Sequence, residues 1–324
     1  MFFHPVCKEL NSIKYGHQGN GIQKFYCKVC KEVFNERLGT PLYRMKTKDK
    51  EFKEIVHLFF KGLSIADIAD VKEISEGTVR SILKKTVRHF EKFEEYKTNF
   101  DEAYAPEVIE IDEIHIKLQS GVEFFGWIAY DPKNKVLIDF QIGQRDEETL
   151  DKLFRRLQKY RTKIKLVMID GYKGFEKLIR KYLCKRRFHP VTGVINKSRY
   201  VKELKGYLTY ALFGYGRTSV EGLVKEYDLG NKISTALIER INRDFRDDSP
   251  YMKRRSHKRA RILDWADLSF RGIRFIHNVC KAHNTLSEKS SKNWIVKPVT
   301  PFMKAGVYDK FLSIFDVITT PIID

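Results

Sequence analysis

The apolar and polar positions divide the middle of the chain into strands and helices. Three segments, EVIEIDEIHIKL, VEFFGWIAY and KVLIDFQIG, have the apolar runs of strands and are joined by the turn-like QSG and DPKN. A helix is predicted over 146–160, because Leu150, Leu153, Phe154 and Leu157 recur at helical spacing. IKLVMID then predicts a fourth strand, and residues 172–183 predict another helix. The pattern therefore predicts an α/β fold whose mixed sheet is covered by helices on both faces.

Three antiparallel-type strands, a helix, a strand and a helix follow one another in the order used by the ribonuclease H fold. We therefore predict a ribonuclease-H-like domain with a mixed five-stranded sheet over residues 104–290. The sequence texture predicts three further units, namely a zinc-binding module, a helical domain and a C-terminal tail, over 1–40, 45–98 and 291–324. The Gly- and Tyr-rich stretch 196–232 gives no clear pattern.

The segment before the strands predicts three short helices. Ser64 and Ser75 are suited to cap the second and third helices, and Val79, Ile82 and Leu83 give the third an apolar stripe. Such a trio fits a helix-turn-helix, in which the third helix enters the major groove of DNA. The basic residues available on its outer side are Arg80, Lys84, Lys85 and Arg88. The alternative is a small helical bundle with a solvated basic face.

Two ligand pairs at x-x spacing lie near the N-terminus. HPVC supplies His4 and Cys7, and CKVC supplies Cys27 and Cys30. Four such ligands suit one tetrahedral structural zinc ion, which would stabilise a segment with little core of its own. A redox Cys-x-x-Cys and unpaired buried thiols are the alternatives, and the lack of a surrounding βαβ pattern lowers the first.

The charge of the chain favours a polyanionic partner. Its 324 residues carry a formal net charge of +19, and charge of this size is typical of nucleic-acid binding. Two basic runs are candidate DNA contacts through Arg186, Arg187, Lys253, Arg254 and Arg255, although a basic run is often a solvated face. We find neither a signal peptide pattern nor an apolar stretch of about 18 residues, so we expect a cytoplasmic protein without a membrane partner.

Three acidic residues stand at chemically interesting positions. Asp112 shares a strand face with the apolar Ile114 and Ile116, where a carboxylate should be paired, neutralised or bound to metal. Asp170 ends the fourth strand, and Glu239 lies on a later helix. Each alone has a simpler explanation: an exposed strand end, a helix cap and a solvated surface residue. As a set they are more informative, because the first and fourth strands of a ribonuclease H sheet are neighbours and would bring the two aspartates together.

At these residues the sequence resembles the DDE transposases of prokaryotic insertion sequences, in the lineage of insertion sequence 1. The resemblance spans nearly the whole chain through GIQKFYCKVC, IDEIH, DPKNKVLIDFQIGQRDEETL, MIDGYKGF, IERINRDFR and TPFMKAGVYDKF. It implies that Asp112, Asp170 and Glu239 form the catalytic triad. His4 stands where these proteins usually have Cys, and His115 where relatives often have an aromatic residue. Glu113 has the opposite strand parity to Asp112 and is not assigned to the metal.

The resemblance implies metal-dependent cleavage and joining of DNA at the ends of an insertion sequence. Three carboxylates would hold two magnesium or manganese ions about 3.5–4 Å apart. Double-stranded DNA, as terminal repeats and target, would be the partner, and pairing two ends implies a homodimer or a higher oligomer. Further DNA contacts are predicted on the helix of the glutamate, at Asn242, Arg243 and Arg246. An inactive DNA-binding regulator and a nuclease or resolvase on the same fold are the alternative functions.

Overall fold

The computed structural model describes residues 2–4, 9–19, 21–98, 100–185, 188–196, 208–213, 215–230, 235–252, 259–291 and 294–323. Several predicted ligands and DNA contacts lie outside these residues, namely Cys7, Arg186, Arg187, Lys253, Arg254 and Arg255. The side chain of His4 is also outside the described part, although its backbone belongs to a strand.

The N-terminal region is a small antiparallel sheet. Its strands, in spatial as well as chain order, are β1 (Phe2–His4), β2 (Glu9–His17), β3 (Gln23–Cys27) and β4 (Val33–Asn35). Phe25 and Phe34 stack with ring centroids 5.4 Å apart and form a small apolar cluster with Cys27. So small a core explains why the sequence predicted a metal as a source of stability here.

Three helices follow, as the apolar spacing predicted: α1 (Asp49–Phe59), α2 (Ile65–Val71) and α3 (Glu76–Lys97). Ser64 accepts a hydrogen bond from the amide of Asp67, and Ser75 accepts one from the amide of Thr78. Both serines thus satisfy amide groups that a helix start leaves without an intrahelical partner. The helices and their two caps are confirmed, whereas their binding to DNA stays a prediction.

A six-stranded mixed sheet forms the middle of the molecule. A short helix α4 (Phe100–Ala103) precedes β5 (Val108–Lys117), β6 (Glu123–Asp131), β7 (Val136–Gly143), α5 (Glu147–Leu157), β8 (Leu166–Asp170), α6 (Gly174–Tyr182), β9 (Val191–Asn196) and β10 (Leu208–Ala211). The spatial order is β10-β9-β8-β5-β6-β7, with β5, β8 and β9 parallel to one another. This order is compatible with a ribonuclease-H-like fold. The prediction counted five strands and located four of them, β5 to β8; it located neither β9 nor β10, and β10 lies in the stretch that gave no clear pattern.

Helices cover both faces of this sheet. On one face Trp127 of β6 packs edge-on against Phe175 of α6, with ring centroids 5.7 Å apart. The opposite face carries α7 (Arg217–Glu226), α8 (Ala236–Asp248) and α9 (Leu263–Phe275). Burial on both faces explains why apolar residues of the central strand β5 point to both sides of the sheet, Val108 to one side and Ile109 and Ile111 to the other.

The helical region and the sheet share one hydrophobic core. Phe90 of α3 stacks on Phe275 of α9 with ring centroids 4.5 Å apart, and Arg274 donates to Glu94 at 2.7 Å. Gly272 allows the helices to approach, because a Cβ atom there would lie 2.3 Å from the Phe60 ring. The two regions are therefore packed together through side chains of α3 and α9.

The C-terminal segment, expected as a tail, is folded onto this core in part. It holds β12 (Ile295–Lys297), which pairs with β11 (Glu288–Lys289), followed by α10 (Pro301–Lys304) and α11 (Ile314–Thr319). Phe302 and Ile318 are fully buried, and the carbonyl of Val317 lies 2.9 Å from the ring nitrogen Nε2 of His89 on α3. These contacts make α10 and α11 part of the hydrophobic core that the helical region and the sheet share.

Among the described helices, none is both long and apolar enough to cross a lipid bilayer.

Candidate active site between two neighbouring strands

Asp112 and Asp170 come together where β8 ends beside the middle of β5. The register pairs Ile111 of β5 with Ile169 of β8, so the next residue of each strand is an aspartate. A carboxylate oxygen of each lies within 4.8 Å of the other, and both side chains are half-buried. The prediction that these two residues meet is confirmed, and its basis is the adjacency of the first and fourth strands.

Glu113 completes the acidic cluster, contrary to its exclusion by strand parity. One of its carboxylate oxygens lies within the same 4.8 Å distance of Asp112 and Asp170. In β5 Glu113 faces Trp127 of β6, while β8 ends at Asp170 and offers it no paired residue. Parity gives the direction of the Cα–Cβ bond, but a glutamate beside the end of a neighbouring strand can reach around that end.

The surroundings of Glu113 oppose its ionisation. Burial raises its pKa, and the nearby charge of Asp170 raises it further, while Arg145 acts in the opposite direction through a hydrogen bond and its charge. Among the described residues no donor reaches the buried Oε2 atom of Glu113. A cation at the cluster would offset the repulsion between carboxylates, as it does wherever like charges share a site.

Helix α8 lies directly against this cluster. Asn242, which is 2% exposed, donates from Nδ2 to Oδ2 of Asp112 at 2.8 Å. In this structure the buried amide orients an aspartate, and contact of Asn242 with DNA stays a prediction. Glu239 lies on the same helix, three residues earlier, and its side chain is exposed. It is not a member of the 4.8 Å group, so its role as third catalytic carboxylate stays a prediction.

A fourth carboxylate, which sequence reasoning did not single out, lies beneath the cluster. Glu110 is fully buried on β5, and its Oε2 accepts a hydrogen bond of 2.8 Å from the amide of Ile238 in α8. Burial raises the pKa of Glu110 to about 8, against the opposing effects of the Ile238 amide and Lys135. The available signal was strand alternation, which places Glu110 on the same face as Asp112.

The basic residues predicted to contact DNA differ in what they touch. Arg80 pairs with Glu76 and lies 6.0 Å from the ring of Trp265, and Lys84 lies 5.4 Å from the same ring. Lys85 is half-buried and donates to the carbonyl of Tyr43 at 3.2 Å, so its charge is directed into the protein. Three others vary in exposure: the side chains of Arg88 and Arg243 are exposed and that of Arg246 is half-buried.

The predicted zinc ligands can be followed in part. Cys27 is buried at the end of β3, and Cys30 is exposed in the turn that follows. With Cys7 and the His4 side chain outside the described part, the four-ligand site stays a prediction. His115 lies on the surface, where its Nε2 is 3.2 Å from the carboxylate of Glu123 on the neighbouring strand.

The acidic cluster has the donor chemistry of a divalent cation site. It offers carboxylate oxygens alone, which hard cations such as Mg²⁺ and Mn²⁺ prefer. The carboxylates converge to within 4.8 Å beside the end of β8, between the two middle strands of the sheet, where the side chains are half-buried. These residues could therefore hold a divalent cation and support a nuclease-type reaction.

Among known proteins, similarity to this chain is found in solved structures. No protein-family model and no curated protein matches the sequence. Among solved structures, the chain is similar to the catalytic domain of Mos1 mariner transposase, with 10% sequence identity and a TM-score of 0.21. The match covers 60% of this chain and 90% of that chain. A TM-score this low indicates a distant likeness and says nothing about the activity of this chain.

Proposed function

We propose that the chain is a DDE transposase of the insertion-sequence-1-like type, which cleaves and joins DNA at the terminal inverted repeats of an insertion sequence. The observation that carries the proposal is the meeting of Asp112 and Asp170 within 4.8 Å, where β8 ends beside the parallel strand β5. It is supported by the hydrogen bond from Asn242, which ties the helix of Glu239 to Asp112. The sequence resemblance assigns the same three acids.

Each side chain has a role in this proposal. Asp112, Asp170 and Glu239 would hold two Mg²⁺ or Mn²⁺ ions, which would activate the attacking oxygen and neutralise charge on the leaving oxygen. Asn242 fixes the orientation of the Asp112 carboxylate from the interior. Arg145 offsets the charge of Glu113 at the edge of the cluster. Glu113 is a second candidate for the third ligand, because its oxygen lies in the acidic group and that of Glu239 does not.

DNA is the proposed substrate and partner. The exposed Arg88 and Arg243, the solvent-facing parts of Arg80 and Lys84, and the formal net charge of +19 favour contact with phosphates. Arg246 and the basic residues outside the described ranges are further candidates. Synapsis of two element ends requires at least two copies of the chain, so a homodimer or higher oligomer is part of the proposal.

One structural zinc ion is proposed for the N-terminal module, held by His4, Cys7, Cys27 and Cys30. The support is the ligand spacing and the small size of the apolar cluster around Phe25. Elemental analysis of full-length protein purified without chelators should give about one zinc per chain. A metal-free but folded module would refute this assignment.

A strand-transfer assay tests the main proposal. Full-length protein is incubated with labelled element ends, target DNA and Mg²⁺, and the products are separated by size. Joining supports a transposase, cutting without joining indicates a nuclease or resolvase, and binding alone indicates an inactive regulator. Asp112→Asn should remove both cutting and joining but leave binding of the ends nearly unchanged. Glu148→Gln, on the exposed face of α5, is the matched control and should react like the unaltered protein.

A further inference from the structure

Strand β5 and helix α8 are joined by two hydrogen bonds from the same strand face. Glu110 accepts from the amide of Ile238, and Asp112 accepts from the side chain of Asn242, both at 2.8 Å. The two acceptors are two residues apart on the strand, which is roughly 6.6 Å along a β-strand. The two donors are four residues apart on the helix, which is about 6 Å along an α-helix. Because the two spacings match, these bonds fix both the height and the rotation of α8 over β5.

The helix start needs the bond from Glu110. Thr235 is the N-cap residue of α8, and its side chain makes no capping hydrogen bond. The amide of Ile238, in the first turn, cannot bond within the helix and is buried away from water. The carboxylate of Glu110 satisfies it from the neighbouring strand and takes the place of a local cap. An unsatisfied buried amide would otherwise favour a shifted or frayed first turn.

Glu239 follows Ile238 directly, so the direction of its side chain depends on this anchor. Asn242, three residues after Glu239 on the same helix, donates to Asp112, so this part of α8 lies against the aspartate. Loss of the anchor would leave the hydrogen bond from Asn242 to Asp112 as the other described tie between β5 and α8. The first turn could then rotate about that tie and carry Glu239 away from the aspartates.

We infer that Glu110 is a positioning residue, which sets the register of α8 on β5 and thereby places Glu239 beside Asp112. This inference rests on the proposed function insofar as Glu239 is taken as a metal ligand. Glu110 itself is buried beneath the cluster and acts through the helix rather than on the substrate. Glutamine at this position keeps an oxygen acceptor for Ile238, whereas leucine removes it with little change in size.

Manganese binding to the full-length protein is the first test, measured by the loss of the free-ion paramagnetic signal. Glu110→Leu should weaken Mn²⁺ binding by about 10–100-fold, as is usual when a group that orients a metal ligand is removed. Glu110→Gln should restore most of that affinity. Folding of each variant is checked by its melting temperature. A folded Glu110→Leu protein that binds Mn²⁺ as tightly as the unaltered chain would overturn the inference.

Two further measurements separate positioning from general stability. Asp131→Asn alters another fully buried carboxylate, at the end of β6, which accepts a hydrogen bond from the hydroxyl of Tyr104. This variant should lower the melting temperature without weakening Mn²⁺ binding. In a Glu239→Gln background, Glu110→Leu should cause no further loss of Mn²⁺ affinity. A full additional loss in that background would contradict action through Glu239.

Hydrogen exchange on the unaltered protein covers the case in which Glu110→Leu fails to fold. The amide of Ile238 should exchange more slowly than that of Leu237, its neighbour in the same helical turn. Equal rates would show that the anchor does not hold and would refute the inference. Failure of the unaltered protein to join DNA, with slow exchange at Ile238 and the Mn²⁺ results as expected, would refute the proposed function while supporting the role of Glu110.

Discussion

The acidic end of the sheet, formed by Asp112, Glu113 and Asp170, and the three-helix region, α1 to α3, both carry charged side chains, but those charges have different surroundings. At the sheet, Asp112, Glu113 and Asp170 converge on one another although their charges repel. In α3, Arg80 and Lys85 are each engaged by neighbouring groups of the protein itself. Convergence of like charges has a cost that folding does not repay, and it therefore indicates a function more strongly than a basic helix does.

The two regions also differ in how they depend on the rest of the molecule. The acidic cluster forms because β5 and β8 are neighbouring strands, and α8 packs beside it through its bonds to β5. Helices α2 and α3 have their own capped starts, yet Phe90 and Phe93 of α3 bury their rings against elements that follow the sheet. Breaking each region separately should therefore affect activity in one case and folding in the other.

The largest effect is expected at the acidic end. Glu239→Gln should lower strand joining by roughly a thousandfold or more, because the loss of a metal ligand misplaces the reacting groups and uncovers developing charge. Glu113→Gln should have a much smaller effect if Arg145 is its main partner. Single-turnover joining rates in Mg²⁺ compare the two variants. The reverse order of effects would make Glu113, rather than Glu239, the third ligand.

Phe90→Ala tests the packing of the helices on the sheet. Removal of this buried ring should lower the free energy of unfolding by about 3 kcal/mol or more, since it leaves a cavity against Phe275. Because the core is shared, we expect one cooperative transition that shifts as a whole in thermal unfolding. Phe25→Ala, in the separate N-terminal cluster, is the matched control and should leave that transition nearly unmoved. Two separate transitions in the Phe90→Ala protein would contradict the shared core.

The pH dependence of stability should show a buried histidine that belongs to neither region. Burial lowers the pKa of His277 to about 4, and the charges of Lys281 and His283 lower it further, while the carbonyl of Lys135 and the charge of Asp244 act in the opposite direction. The unfolded chain binds a proton below its usual pKa of about 6.5, and the folded chain does so only near 4. Stability from the neutral imidazole is therefore present above pH 6.5 and lost as the pH falls towards 4.

The loss from this one group is no more than about 3.5 kcal/mol, at about 1.4 kcal/mol for each unit of pKa difference. Chemical denaturation at several pH values between 4 and 7 measures it. His277→Gln should flatten part of the slope, and the part that remains is expected from His283, whose pKa burial also lowers to about 4. An unchanged slope in the variant would show that His277 is not buried in its neutral form.

The smallest effects are expected on the outer face of α3. Arg80→Ala should weaken binding to the terminal repeat by about 1–3 kcal/mol if the side chain reads a base, and much less on random DNA. Lys85→Met should leave both affinities unchanged, because Lys85 donates to the carbonyl of Tyr43. Titrations at one fixed salt concentration compare the proteins. An equal loss on both DNAs would make Arg80 a phosphate contact, and a loss at Lys85 would mean that α3 repacks when DNA binds.

The local patterns of the sequence were sufficient for the three-helix region and for the first four strands of the large sheet. Period-two and helical spacing predicted β5 to β8 and α1 to α6, apart from the brief α4, because these spacings follow directly from backbone geometry. The caps at Ser64 and Ser75 were predictable because a capping serine bonds within its own turn. Strand β10 was not, since its segment carries many glycines and tyrosines and pairs with β9 across a long connection.

The sequence by itself also determined that Asp112 and Asp170 would meet, since the order of elements makes their strands neighbours. Only the tertiary structure decided that Glu113 reaches the same cluster, that Asn242 turns inward and that Glu110 anchors α8. The physical reason is the range of the interactions. Strand and helix periodicity is set by bonds between near neighbours. The reach of a flexible side chain such as Glu113 and the loss of water around a polar group such as Glu110 depend instead on elements far away in the sequence, 32 residues away for Arg145 and 128 residues away for Ile238.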